Sequence, residues 1–245
     1  LLPCDTLQVL FQLPEGYCRS AFAIDRFSEH GILPYHLLSM QRRLTEAFRQ
    51  GSASAILRLS AEIGHYIGDA TVPLHTTENY NGQLSNQLGI HAFWESRLPE
   101  LFADREYDFI VGKAEYITRP KDFFWKLVLD SHLMLDSVLV IEKELSRQFP
   151  QDRQFCYEER LNVLVRTQCS EYAAAYHKRL DGQVERRMRD AVHAIGSSWF
   201  TAWVDAGQPN LLRLGEDKLA QRETRELEAL EEAFQKKERK GREHE

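Results

Sequence analysis

A chain of 245 residues with 43% hydrophobic content can bury one large core or two small ones, and 28% charged content excludes a disordered chain. No stretch approaches the roughly 18 to 20 apolar residues that span a bilayer. A net charge of −6 argues against broad duplex binding through a basic face, while leaving room for an enzyme that grips a single phosphate through metal.

In chain order, the four cysteines come first, because two lie near the start. Cys4, Cys18, Cys156 and Cys169 contain no CxxC pair, so a cysteine zinc site is not expected. They allow up to two disulfides, and a core of this size requires none. The chain opens on Leu1-Leu2-Pro3, with neither an initiator Met nor a basic-then-apolar signal segment, so residue 1 is not expected to be the natural start.

Strand signals are scarce and helical periodicity is common. Tyr35 to Arg49 places Leu37, Leu38, Met40, Leu44 and Phe48 on one stripe. Ser52 to Tyr66 reads the same way, with Ser52 or Ser54 able to cap its start and Pro73 ending it. Thr76 to Gly89 is rich in Asn, Gln, Thr, Ser and Gly and reads as a loop. Helical pattern resumes at Ile90 and runs toward Arg97, where Pro99 intervenes. A further helix is predicted from Phe123 to Phe149, with Leu127, Leu133, Leu135, Val138, Ile141 and Leu145 on its apolar face. The longest pattern runs from Glu158 to Val204, with a break near Gly182 or Gly196, and Gly207-Gln208-Pro209 terminates it.

The last thirty residues hold ten acidic and eight basic side chains, with only Leu219, Leu227, Leu230 and Phe234 as large apolar groups. Such mixed charge with a thin stripe reads as an exposed helix or tail. The expectation is therefore an all-α fold: one multi-helix domain over 1–214 and a charged helix or tail over 215–245.

One segment carries chemistry. His65 and Asp69 stand four residues apart, so a helix puts both on one face, and His91 and Glu95 repeat the spacing. His75 follows Pro73, where the chain turns. Imidazole nitrogen and carboxylate oxygen bind zinc at about 2.0 to 2.2 Å, and three protein ligands leave a position open for water. His75, His91 and Glu95 make such a trio, and His65 with Asp69 would supply a second centre, with Asp69 able to bridge. A single His-x-x-x-Asp pair is weak evidence, and His132 with Asp136 reads as a surface or hydrogen-bonded pair. Two pairs plus His75, around a polar loop, are harder to obtain by chance.

The string His65-Tyr-Ile-Gly-Asp69-x-x-x-Pro-Leu-His75, followed by His91-x-x-x-Glu95, resembles the zinc-dependent phospholipase C and single-strand-specific nuclease superfamily. The likeness is specific over residues 55 to 97 and looser over Glu171 to Leu211. It implies an all-helical fold, three zinc ions in a cleft, and hydrolysis of a phosphodiester by metal-activated water. Position by position, His75, His91 and Glu95 match the ligands of one zinc. His65 and Asp69 match ligands of the paired zincs, with Asp69 the bridging, candidate catalytic carboxylate. The family is exported, so an extracellular or periplasmic protein is expected.

The chain departs from the family before this helix. There the family carries an amino-terminal Trp, a His, an Asp and another His, whereas the first Trp here is Trp94 and only His30 and His36 precede His65. Asp25 and His36 do not fit the spacing. Either an amino-terminal segment is missing, which is the favoured reading, or the metal site is reduced, and one complete zinc site is expected in this chain.

The substrate is a phospholipid or a single-stranded nucleic acid. The Asn79-Tyr80-Asn81-Gly82 turn is expected to line the cleft rim and touch it. The polar loop leans toward a soluble, nucleotide-like substrate, since a lipase-like enzyme would show an apolar rim. Phe93 and Trp94 read as packing rather than base platforms. The alternative function is a non-catalytic zinc-binding helical protein. His177 and His193 read as core-edge or surface groups, and Asp181 as a polar contact at a helix break.

Overall fold

The computed structural model of the chain describes residues 31–160 and 163–214. The charged tail over 215–245, together with Cys4, Cys18, Asp25 and His30, lies outside the described residues.

The described chain is mostly helical, with one two-stranded sheet. Helix α1 (Leu33–Gln50) buries Leu37, Met40, Leu44 and Phe48 of the predicted stripe and adds Gln41, while Leu38 is only half-buried. Helix α2 (Ala53–Ala70) buries Ile56, Leu59, Ile63 and Ile67. Ser52 occupies its N-cap position, yet its side chain makes no capping hydrogen bond. A 3-10 turn follows (Pro73–Thr76), opened by Pro73. After the loop come a short helix α3 (Ile90–Ala92), a π turn (Phe93–Arg97) and helix α4 (Leu98–Glu106). Pro99 does not stop this run. It lies just after the π turn, and the chain passes through Arg97 and Leu98 in helical conformation into α4.

The predicted helix from Phe123 to Phe149 is two helices, α5 (Pro120–His132) and α6 (Leu135–Gln148). No Gly or Pro marks the joint. Leu133, assigned to the apolar face, is 81% exposed there.

The pattern from Glu158 onward also divides. Its first part is an antiparallel hairpin, β1 (Phe155–Arg160) with β2 (Val163–Gln168), in which Tyr157 pairs with Arg166 and Glu159 with Leu164. Tyr157, Val163 and Leu164 are exposed, so they belong to no buried helical stripe. The aromatic ring of Tyr157 and the β-branched side chain of Val163 suit a pleated strand. A disulfide joins Cys156 to Cys169 at the base of the hairpin, across a separation of 13 residues.

Helix α7 (Ser170–Leu180) then ends at Asp181 and Gly182, both in the left-handed region with φ of 49° and 70°, and α8 (Gln183–Asp205) runs on unbroken through Gly196. The predicted break is therefore at Gly182, where glycine adopts positive φ without strain.

Helix α2 packs along α8, with Gly64 against Ile195. Gln41 of α1 donates to the Ser198 carbonyl of α8 at 3.0 Å, and the Ser198 hydroxyl donates back to Gln41. A second cluster decides where the functional side chains go. Val72, Leu74, Ile90, Phe93 and Trp94 are buried together with Leu98, Leu135, Val138, Tyr172, Tyr176 and Val184. Phe93 stacks between Tyr172 and Tyr176, with ring centroids 5.5 and 4.8 Å away, and Trp94 donates to Gln183 at 3.1 Å. Both aromatics are packing groups. No helix among the described residues is long and apolar enough to cross a membrane.

Candidate metal centre

The histidines and carboxylates of interest alternate with these buried anchors. Val72 and Leu74 enter the core just before His75, and Ile90, Phe93 and Trp94 enter it around His91 and Glu95. Burying the anchors turns the intervening polar side chains to the other side, toward one another. His75, His91 and Glu95 each offer a ligand atom, all within 4.8 Å of one another. His91 Nε2 lies 2.6 Å from Glu95 Oε2, and His75 Nε2 lies 3.6 Å from the same oxygen. The two imidazole rings meet edge to face at 4.7 Å.

Helical spacing alone would bring His91 and Glu95 to one face. Here the spacing crosses from α3 into the π turn, which shifts Glu95 relative to a regular helix. The sequence gives no sign of that wider turn.

The arrangement continues toward α2. Asp69 Oδ1 is 3.8 Å from His75 Nε2, and Asp69 Oδ2 is 3.6 Å from His65 Nε2. All five predicted ligands thus form a file, His65–Asp69–His75–Glu95–His91, of which only the last three converge tightly. His65, 72% exposed, is its open end. His36 stands apart: its ring packs edge-on to Tyr66 at 4.5 Å.

The electrostatics follow from this crowding. The neighbouring His75 and His91 imidazoles hold the Glu95 carboxyl down at about 2, against the opposing effect of burial. The Glu95 hydrogen bond in turn raises His91 above its ordinary range, although burial works the other way.

The donor set suits a divalent metal in a second respect. His91 Nδ1 lies 3.1 Å from the Tyr80 carbonyl. A carbonyl only accepts, so Nδ1 donates there, while Nε2 faces the Glu95 carboxylate, to which it donates when protonated and from which a bound metal would displace that proton. Metal-binding histidines are typically oriented in this way, by donating the second ring nitrogen to a carbonyl. Tyr80 therefore contributes through its backbone, a role that residue type cannot reveal.

The loop between His75 and His91 is internally bonded. Asn79 donates to Ser85 at 2.9 Å and accepts from the Leu84 amide at 2.7 Å, and Asn81 accepts from the Gly89 amide at 3.1 Å. Two of the three predicted substrate contacts thus shape the loop, while the Tyr80 ring is 51% exposed. Gly82 is irreplaceable there: its φ is +77°, and a Cβ would fall 2.2 Å from the Gln87 carbonyl oxygen. The loop also presents Leu84 and Leu88, 72% and 70% exposed, so its rim is more apolar than its composition suggests.

The remaining predicted groups lie elsewhere. His132 bonds Thr76 at 3.1 Å, beside His75, rather than pairing with Asp136. His177, partly buried, hydrogen-bonds the Tyr107 hydroxyl at 2.9 Å. A cavity of about 520 Å³ between α6, the 86–90 loop and the hairpin base includes none of the five ligands. Comparison of the chain with protein-family models, with curated proteins and with solved structures returned no match.

Proposed function

We propose that the chain is a zinc-dependent hydrolase of phosphodiester bonds, of the phospholipase C-like or nuclease-like kind, with His75, His91 and Glu95 holding the metal. The observation that carries this reading is the convergence of that trio, with the His91 ring fixed by the Tyr80 carbonyl. Zinc held there supplies a Lewis acid for the phosphoryl oxygens and lowers the pKa of water. Among the chain's own residues, Glu95 brings the negative charge, and its low pKa keeps it ionised at any physiological pH. In this reading Asp69, 3.8 Å from His75 and 3.6 Å from His65, would accept a proton or share a second cation with His65.

Exposed Leu84 on the loop that orients His91, together with the net charge of −6, favours a phospholipid-type ester over a nucleic acid. The Cys156–Cys169 disulfide supports an extracellular or periplasmic location, since such bonds persist in oxidising compartments.

The test is zinc content per chain by elemental analysis, with hydrolysis of phosphatidylcholine micelles and single-stranded DNA measured side by side before and after chelation. About one zinc per chain, lost in Glu95→Gln, and chelator-sensitive cleavage of the lipid are expected. Stoichiometric zinc without turnover of either substrate would establish the non-catalytic zinc protein instead. A chain that binds no zinc would end both readings.

A further inference from the structure

We propose that Arg187 of α8, acting with Ser131 of α5, is the positioning group that fixes the turn between Asp69 and His75 and so sets the geometry of the metal ligands. This inference rests on the metal reading above and extends it to residues that touch no ligand atom.

The turn is where α2 ends, and a helix end leaves carbonyls without intrahelical partners. Two of them are served locally. Gly68 O accepts from the Thr71 amide and hydroxyl, at 2.9 and 2.7 Å, and Asp69 O accepts from the Val72 amide at 3.1 Å. The next two are not. Ala70 O accepts from the Ser131 hydroxyl at 2.6 Å, and Thr71 O accepts from Arg187 Nε at 3.0 Å. Both donors reach across from other helices. The same guanidinium donates through Nη2 to Leu127 O at 3.1 Å and to the Ser131 hydroxyl at 2.6 Å, and through Nη1 to Asp190 at 2.8 Å.

Arg187 is only 2% exposed and Ser131 is fully buried, so the cluster is locked by packing as well as by hydrogen bonds. A positive charge at a helix C-terminus is also favourable to the helix dipole. Asp69 precedes the clamped carbonyls by one residue and His75 follows them by four. Holding Ala70 and Thr71 therefore fixes the two ligand-bearing backbones relative to each other.

A planar fork is needed to reach Thr71 O, Leu127 O and Ser131 together. A lysine brings the charge without that span. Groups that hydrogen-bond metal ligands directly typically cost 10- to 100-fold in metal affinity when removed; Arg187 and Ser131 act on the ligand-bearing turn instead, and a loss of about tenfold is expected of them.

The experiment measures zinc affinity of the full chain by competition with a chromophoric chelator, and the visible spectrum of the cobalt-substituted form. The variants are Arg187→Lys, Ser131→Ala and, as an exposed control, Arg147→Met. Circular dichroism verifies that each is folded. The expected result is a loss of about tenfold in zinc affinity and an altered cobalt spectrum for Arg187→Lys and Ser131→Ala, with Arg147→Met unchanged. A purely structural role would lower the melting temperature and leave the affinity of the folded chain intact, which would overturn the proposal. Should the lysine variant not fold, Ser131→Ala decides alone. A wild-type chain that binds no zinc would instead overturn the functional reading on which the inference rests.

Discussion

Removing the Cys156–Cys169 bond, by changing both residues to Ser, tests how the hairpin is attached to the helical body. The bond closes a loop of about 14 residues, and the chain-entropy relation gives about 3 kcal/mol for a loop of that size. Little else compensates. Tyr157, Val163 and Leu164 are exposed, so apolar burial contributes little, and an isolated two-stranded hairpin is marginal in water. Among the described residues there remain the ladder itself, Arg166 over the Phe155 ring, the Cys169 amide on Gln154 O, and Arg97, a buried cation two residues after Glu95. Its Nη1 donates to Glu158 at 3.0 Å and its Nε to Gln168 O at 3.1 Å, and its Nη2 pairs with Glu158 as well. The expected outcome is local opening: exchange of the β1 and β2 amides accelerates on the order of 100-fold, the equivalent of about 3 kcal/mol. The melting temperature of the helical body should hardly change. Hydrogen exchange read by mass spectrometry separates the two effects. Unchanged hairpin protection would refute the entropic argument. A fall of about 6 to 12 °C in the global midpoint would refute the claim that the hairpin opens on its own.

Two further predictions follow from the core and from a partly buried histidine. Leu74→Ala removes a fully buried side chain next to His75 and is expected to cost 2–5 kcal/mol in chemical denaturation. An unchanged denaturant midpoint would show that this cluster does not anchor the 3-10 turn. Burial lowers the pKa of His177 below its ordinary 6.5, despite the opposing charges of Glu106 and Glu185. The unfolded chain takes up this proton at higher pH than the folded chain, so the contribution of neutral His177 is complete above pH 6.5. It is lost as the pH falls from there toward the folded value. An NMR titration of the ring should report a midpoint under 6.5, and a midpoint above it would contradict the buried environment.

Residue type and spacing by themselves determined the helices α1 and α2 and named the five candidate ligands, and they narrowed the helix break to Gly182 or Gly196, between which the structure chose Gly182. Each of these rests on short-range physics: a 3.6-residue period, the tolerance of glycine for positive φ, and the coordination chemistry of imidazole and carboxylate. The same rules failed where long-range pairing competes with local pattern. Leu164 and Val165 fit a helical stripe as well as a strand, and only the pairing with β1 and the Cys156–Cys169 bond select the strand. The joint at Leu133 and Met134 carries no Gly or Pro, so residue type left it unmarked. At the candidate centre, spacing named His75, His91 and Glu95, but not the π turn that carries Glu95 or the Tyr80 carbonyl that orients His91. Nor did it hint that Arg187, 112 positions beyond His75, would bind the carbonyl of Thr71. A backbone carbonyl is the same in every residue, so which one becomes a partner depends on what tertiary packing brings to it.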